Sequence, residues 1–168
     1  MLRECAGLSI AAIATTCSAC SLVLDFDKVT SDASMDAPYT QAQCDYKEPN
    51  DSIAAAAMID ATATGPAAIC KPTMGSPEDH DYYKFTVSSA TVMVAIQFKN
   101  RPGGDLDIKL HDESGVMQAQ SRGFGDGEMI VCPGSSPSCP TLAAGNYVLE
   151  VFPAIAGSVN SYTFTITP

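Results

Sequence analysis

A chain of 168 residues, 46% hydrophobic and 17% charged, is long enough for one domain with appendages and apolar enough to build its own core. Its formal charge of −10 is spread along the chain rather than packed into one acidic run. Such a surface repels phosphate backbones and anionic headgroups, so it argues against nucleic acid and favours divalent cations or basic partners, although net charge also serves solubility.

Residues 5–14, CAGLSIAAIA, are apolar and small and too short to span a bilayer; with the small residues that follow they read as a signal peptide over residues 1–19. The stretch CSAC at 17–20 resembles a lipobox, with Cys17 where lipoboxes carry leucine, and implies cleavage before an acylated Cys20. Cysteine arithmetic agrees. Removing Cys5 and Cys17 and acylating Cys20 leaves Cys44, Cys70, Cys132 and Cys139, an even set suited to disulfides outside the cytosol. Four cysteines allow three pairings. Proximity joins Cys132 to Cys139, and elimination then joins Cys44 to Cys70.

From 20 to 44 the chain is rich in Asp, Ser and Thr without a sustained period, and reads as a flexible tether. The alanine run at 53–63 supports at most a short helical turn, because Thr62, Thr64, Gly65 and Pro66 close it. Beyond Asp81 the period becomes two. Tyr83, Phe85 and Val87 alternate with polar neighbours, as do Val92, Val94, Ile96 and Phe98, and then Leu106, Ile108 and Leu110. Further strands are expected at 116–121, 129–132, 147–152 and 162–166, separated by Gly, Pro, Ser and Asn turns. Short strands at this spacing, with little helix, predict an all-β fold of two antiparallel sheets packed face to face over residues 45–168. No repeat suggests a propeller or solenoid.

Five segments in order, EPND at 48–51, DHDYYKF at 79–85, GDLDIKL at 104–110, AGNYVLEV at 144–151 and SYTFTI at 161–166, resemble the pre-peptidase C-terminal (PPC) domain. The resemblance covers roughly residues 45–168 and implies a jelly-roll-like β-sandwich of about eight strands, related to collagen-binding modules of clostridial collagenases. PPC domains usually trail a secreted protease, and the mature segment before Asp45 is too short for a catalytic unit. What the resemblance carries over is therefore binding or scaffolding.

The residues themselves give catalysis little to work with. His80 and His111 are the only histidines, and neither a Gly-x-Ser-x-Gly elbow nor a His-Glu-x-x-His helix occurs. Cys132 and Cys139 are spaced too widely for a zinc knuckle. Calcium fits better. Glu48, Asn50 and Asp51 form one oxygen-rich group and Glu78, Asp79 and Asp81 another; in the collagen-binding relatives the corresponding segments together hold calcium. The expected ligands are Glu48, Asn50, Asp51, Glu78 and Asp81, against an alternative in which Asn50 and Asp51 cap the alanine-rich turn and 78–81 is a solvated loop. Asp105 and Asp107, two apart on a strand, are expected on the solvent face. Tyr82 and Tyr147 are candidates for a ligand-binding surface.

The expectation is thus a non-enzymatic lipoprotein of the cell envelope, anchored to a membrane through Cys20, in an outer membrane if the host has one. Its sandwich binds or positions an unidentified protein or polysaccharide, with Ca2+ as cofactor and no nucleic acid. The alternative is a secreted accessory or inhibitor of a separately encoded protease.

Overall fold

Alternation decides the architecture. In a computed structural model, described for residues 40–44, 46–60, 64–71, 78–88, 90–101, 103–135 and 138–167, the period-two segments form two sheets whose apolar faces meet. The first sheet holds β1 (Ala57–Met58), β3 (Asp81–Val87), β10 (Gly145–Pro153), β5 (Leu106–Asp112) and β6 (Met117–Ser121), in the order β1-β3-β10-β5-β6. The second holds β2 (Thr64–Ile69), β11 (Asn160–Thr167), β4 (Val92–Phe98) and β7 (Gly127–Cys132), in the order β2-β11-β4-β7. A small hairpin pairs β8 (Gly134–Ser135) with β9 (Ser138–Cys139).

Register places like with like. Tyr83 of β3 lies opposite Leu149 of β10, which lies opposite Leu110 of β5, so one row of the first sheet is apolar throughout. Across the interface Tyr83 stacks on Phe164 of β11 with ring centroids 4.6 Å apart, and both are fully buried. Tyr46 closes one edge of this core, tilted against Tyr83 and Phe164 at 6.5 and 6.3 Å. The ring fits only because residue 65 is glycine: a Cβ there would lie 2.6 Å from the Tyr46 hydroxyl.

The predicted strands are present, and the all-β sandwich stands, with two departures. The last residues of the tether form one helical turn, α1 (Gln41–Cys44), where the Gln43 side chain accepts from the Thr40 amide at 2.8 Å and from the Thr40 hydroxyl at 3.1 Å. The alanine-rich run forms the short helical turn expected of it, a 3₁₀ turn at Ile53–Ala55, but capped by Ser52 rather than by Asn50 or Asp51 and followed by two strands the sequence did not announce. β1 runs parallel to β3, so the first sheet is not purely antiparallel. β2 contains Pro66, which an edge strand tolerates because its missing amide is not required by a second neighbour. Cys20, the signal peptide and all but the end of the tether lie outside the described residues.

Both expected disulfides are formed, Cys44–Cys70 and Cys132–Cys139, with Cα separations of 5.9 and 5.0 Å. The first ties α1 to the end of β2; the second closes the β8–β9 hairpin. Their sequence separations, 26 and 7 residues, give unequal loop-closure entropies, about 3.5 and 2.5 kcal/mol on the chain-entropy argument. Urea denaturation of the two Cys→Ser double variants is therefore expected to show the larger loss for Cys44/Cys70. The reverse order would mean that native-state contacts, not chain entropy, dominate.

Candidate functional site

The segments at 48–51 and 78–81 meet. Lys47 adopts a left-handed conformation, φ 65°, which turns the chain back on itself before Glu48. The Asn50 carbonyl then accepts from the Tyr82 amide at 3.0 Å and pins the segment to β3. As a result carboxylate oxygens of Glu48, Asp79 and Asp81 lie within 4.8 Å of one another.

Each of the three acids is held in place by a different element. Asp81 faces the core at the start of β3, is 2% exposed, and accepts from the Tyr162 hydroxyl of the opposite sheet. Asp79 accepts from the amide of Cys70, the disulfide partner of Cys44. Glu48 accepts from the Asn50 amide at 2.8 Å. The buried Asn50 side chain stands beside two of them, its amide nitrogen donating to Asp81 Oδ1 at 3.2 Å and to the two Glu48 oxygens at 3.1 and 3.2 Å.

Electrostatics agree with the crowding. Burial raises the carboxyls of Glu48 and Asp79, with the charge of Asp51 adding to both, and burial pushes Asp81 well above the usual range. Asp51 is exposed and acts at the margin of the cluster. The Glu78 carboxylate accepts from the Gly157 amide at 2.9 Å instead. Asp79, outside the expected ligand set, is the member that the structure brings in. Its signal was the two-residue spacing to Asp81, which puts both on one side of an extended segment.

A second constellation occupies the outer face of the first sheet. Glu150 in mid-β10 is nearly buried and accepts from His80 Nδ1 at 3.1 Å, His111 Nε2 at 2.8 Å and Lys109 Nζ at 3.1 and 3.2 Å. Burial alone would raise its carboxyl, but the hydrogen bonds from His111, His80 and Lys109 outweigh burial and hold it far below the ordinary value. Lys109 and Arg122 also lie over the Phe152 ring, 4.0 and 5.1 Å from its centroid. Both histidines of the chain thus serve one carboxylate. Tyr82 belongs to this face, and its hydroxyl is pushed up to about 12 by burial and by Glu150. Tyr147 does not: it lies in the core with its hydroxyl donating to the Ala143 carbonyl at 3.0 Å.

Asp105 and Asp107 correct the sequence reading. They share the outer face of the same sheet, as their spacing requires, yet are 8% and 4% exposed. Each has one carboxylate oxygen, Oδ1, without a hydrogen-bond partner. Arg122 Nε reaches only Asp107 Oδ2, at 3.4 Å. Burial, then Glu128 and Asp105, raise Asp107 against the pull of Arg122 and Lys109, up to about 6.

This architecture has a known counterpart. The fold is that of a PPC domain. The chain is similar to the pre-peptidase C-terminal domain of a collagenase from Bacillus anthracis, with a TM-score of 0.50 and 17% identity, over 66% of this chain and 92% of that one. At that identity the likeness is one of fold. No family model and no curated protein matches the sequence.

In this PPC-like sandwich the two outer-face acids respond oppositely to substitution. Glu150→Ala leaves Lys109 and two histidines around a vacated buried site, and is expected to cost roughly 3 kcal/mol in denaturant unfolding; a loss below about 1 kcal/mol, the range of a surface pair, would show the network to be solvated. For Asp107 the native state holds its proton up to about pH 6, against an ordinary 3.8, so its contribution to stability falls as the pH rises through that window. Asp107→Asn is therefore expected to flatten the decline in stability between pH 4 and pH 7 by on the order of 2 kcal/mol. Unchanged curves would place Asp107 in water.

Proposed function

We propose that the chain is a non-catalytic binding or scaffolding module held outside the cytoplasm by lipid on Cys20, whose PPC-like sandwich is ordered by calcium. The observation that carries the reading is the convergence of carboxylate oxygens of Glu48, Asp79 and Asp81 within 4.8 Å of one another, at the point where the tether joins the domain.

The donor set fits a hard cation. Three carboxylates that repel one another when ionised together supply the oxygen donors a hard cation prefers. Glu48, Asp79 and Asp81 would hold the ion, with the Asn50 amide turning its oxygen toward it and Asp51 at the margin; Glu78, one oxygen already engaged by Gly157, is the weakest member of the expected set. When bound, Ca2+ supplies the positive charge that lets these acids ionise together. What the chain's own residues do is orient the site. Tyr162 and Cys70 fix two carboxylates, and the Asn50–Tyr82 bond carries the 48–51 segment onto β3. Calcium would thus dock the end of the tether on the sandwich and hold the module in one attitude at the membrane. The anchor rests on the CSAC stretch and the four cysteines left to form the two disulfides. Several acyl chains make such anchoring effectively stable.

Two experiments test the two halves. With free calcium tenfold above the dissociation constant the melt is expected to rise by the equivalent of about 1.4 kcal/mol, and Glu48→Gln with Asp79→Asn, which spares the core-facing Asp81, abolishes the rise. Identical melts in calcium and in chelator would overturn the calcium site. In the native host, Cys20→Ala is expected to leave the chain unlipidated and release it from membranes; membrane retention at unchanged mass would overturn the anchor.

A further inference from the structure

His111 near the end of β5 has an acceptor in front of each ring nitrogen. Nε2 lies 2.8 Å from Glu150 Oε2, and Nδ1 lies 3.3 Å from the carbonyl of Gly115, in the turn that leads from β5 to β6. Neither partner has a proton to give. A peptide carbonyl only accepts, and the Glu150 carboxylate accepts on both oxygens from His80, Lys109 and His111. A neutral imidazole has one N–H and would leave a lone pair against one of these oxygens. The ring is 8% exposed, so water is a poor substitute for the missing donor. His80 is under no such demand, since its bond to Glu150 runs through Nδ1 and needs one proton.

We propose that His111 is a proton-operated latch: with both ring protons it bridges Glu150 and the Gly115 carbonyl, and on losing one as the pH rises it keeps the carboxylate and releases the turn. The bond to Glu150 is the one kept because it is shorter and its acceptor is charged. The groups facing the ring do not share its titration. On β10 Glu150 is held far below its ordinary value, and Lys109 of β5 is bonded to it. In the turn Asp112 is held low by Ser114 and Val116, and Glu113 by Lys84 of β3. Tyr82 of β3 is pushed up to about 12, and β6 places the uncharged Met117 opposite His111. Histidine is what changes charge between about pH 5 and pH 8.

The turn is worth latching because three elements meet on it. Glu113 accepts from Lys84 of β3 and from Asn146 of β10, and a Cβ on Gly115 would lie 3.3 Å from Ile53 Cδ1, at the start of the 3₁₀ turn that follows the 48–51 segment. It also carries Val116 and leads into Met117, 58% and 49% exposed. The order of this apolar edge therefore follows the pH, tight in acid and loose in base.

Nitrogen-15 NMR of the full chain, labelled at histidine and recorded in calcium and again in chelator, counts the ring protons. At pH 7 His111 is expected to carry N–H on both nitrogens and His80 on one; at pH 9 His111 keeps only the proton facing Glu150. Amide exchange at Ser114, Gly115 and Val116, corrected for intrinsic rates, is expected to be about tenfold faster at pH 9 than at pH 6, as the loss of one hydrogen bond implies. His111→Gln is expected to abolish that difference. The ring signals are read in the wild type, so a misfolded variant leaves the test intact. A single ring N–H on His111 at pH 7, equal corrected exchange at the two pH values, or a pH dependence that survives in His111→Gln would each overturn the latch, and none of them bears on the calcium site or the anchor.

Discussion

A single carboxylate sealed between the two sheets organises this molecule. Asp81 begins β3 facing inward, where the alternation calls for an apolar residue, and its charge is offset by the hydroxyl of Tyr162 from the opposite sheet, itself 2.9 Å from the hydroxyl of Tyr83. The three groups form a polar seam across one end of an otherwise apolar interface. Burial pushes both phenols up, so the tyrosines remain donors. The seam is open on one side, and there Asn50 and Glu48 approach, brought by the turn at Lys47 and held by the Tyr82 amide. The Cys44–Cys70 disulfide fixes the same corner from behind, since the Cys70 amide holds Asp79. The junction between tether and domain thus depends on an acid that the core alone would not tolerate.

The fold was legible because alternation is a direct consequence of strand geometry. Tyr83, Phe85 and Val87, or Val92 to Phe98, announce one buried face whatever the tertiary context. What escaped was structure whose period is too short to read. β1 is two residues long and exists because the backbone of Ala57 and Met58 can pair with Tyr83 and Lys84, a tertiary opportunity rather than a local preference. β2 carries Gly65 and Pro66, which argue locally for a turn; their reasons are Tyr46, which needs the missing Cβ, and the edge position, which excuses the missing amide. Asn160 was equally silent. Its buried amide donates to the carbonyls of Lys99 and Gly104 and latches a loop to β11.

For the site, the sequence located the acidic segments but could not rank their members. Asp79 and Glu78 are neighbours whose side chains diverge on an extended chain, so one turns toward Asp81 and the other toward Gly157. Only the opposite strands decide which goes where. The expectation that Asp105 and Asp107 face solvent failed for a related reason. Spacing assigns a face of a sheet, but exposure depends on what lies over that face, and here Arg122 and the loop bearing Ala154 and Ile155 lie over it.

That loop joins the two acidic regions. Its Gly157 amide donates to Glu78, next to the proposed calcium ligands; its Ala154 amide donates to the Asp105 carbonyl at 2.9 Å, and its Ile155 lines a shallow hollow beside Asp105 and Asp107. The contrast between Glu150 and Asp107 shows what each part of the face is suited to do. Glu150 is buried with three cationic or imidazole donors and is complete within the chain. Asp107 is buried with one partial donor and is not. An internally satisfied charge stabilises the domain, whereas an unsatisfied one lowers its stability. One loop thus ties the 78–81 segment, through the Gly157 amide, to the Asp105 backbone, through the Ala154 amide.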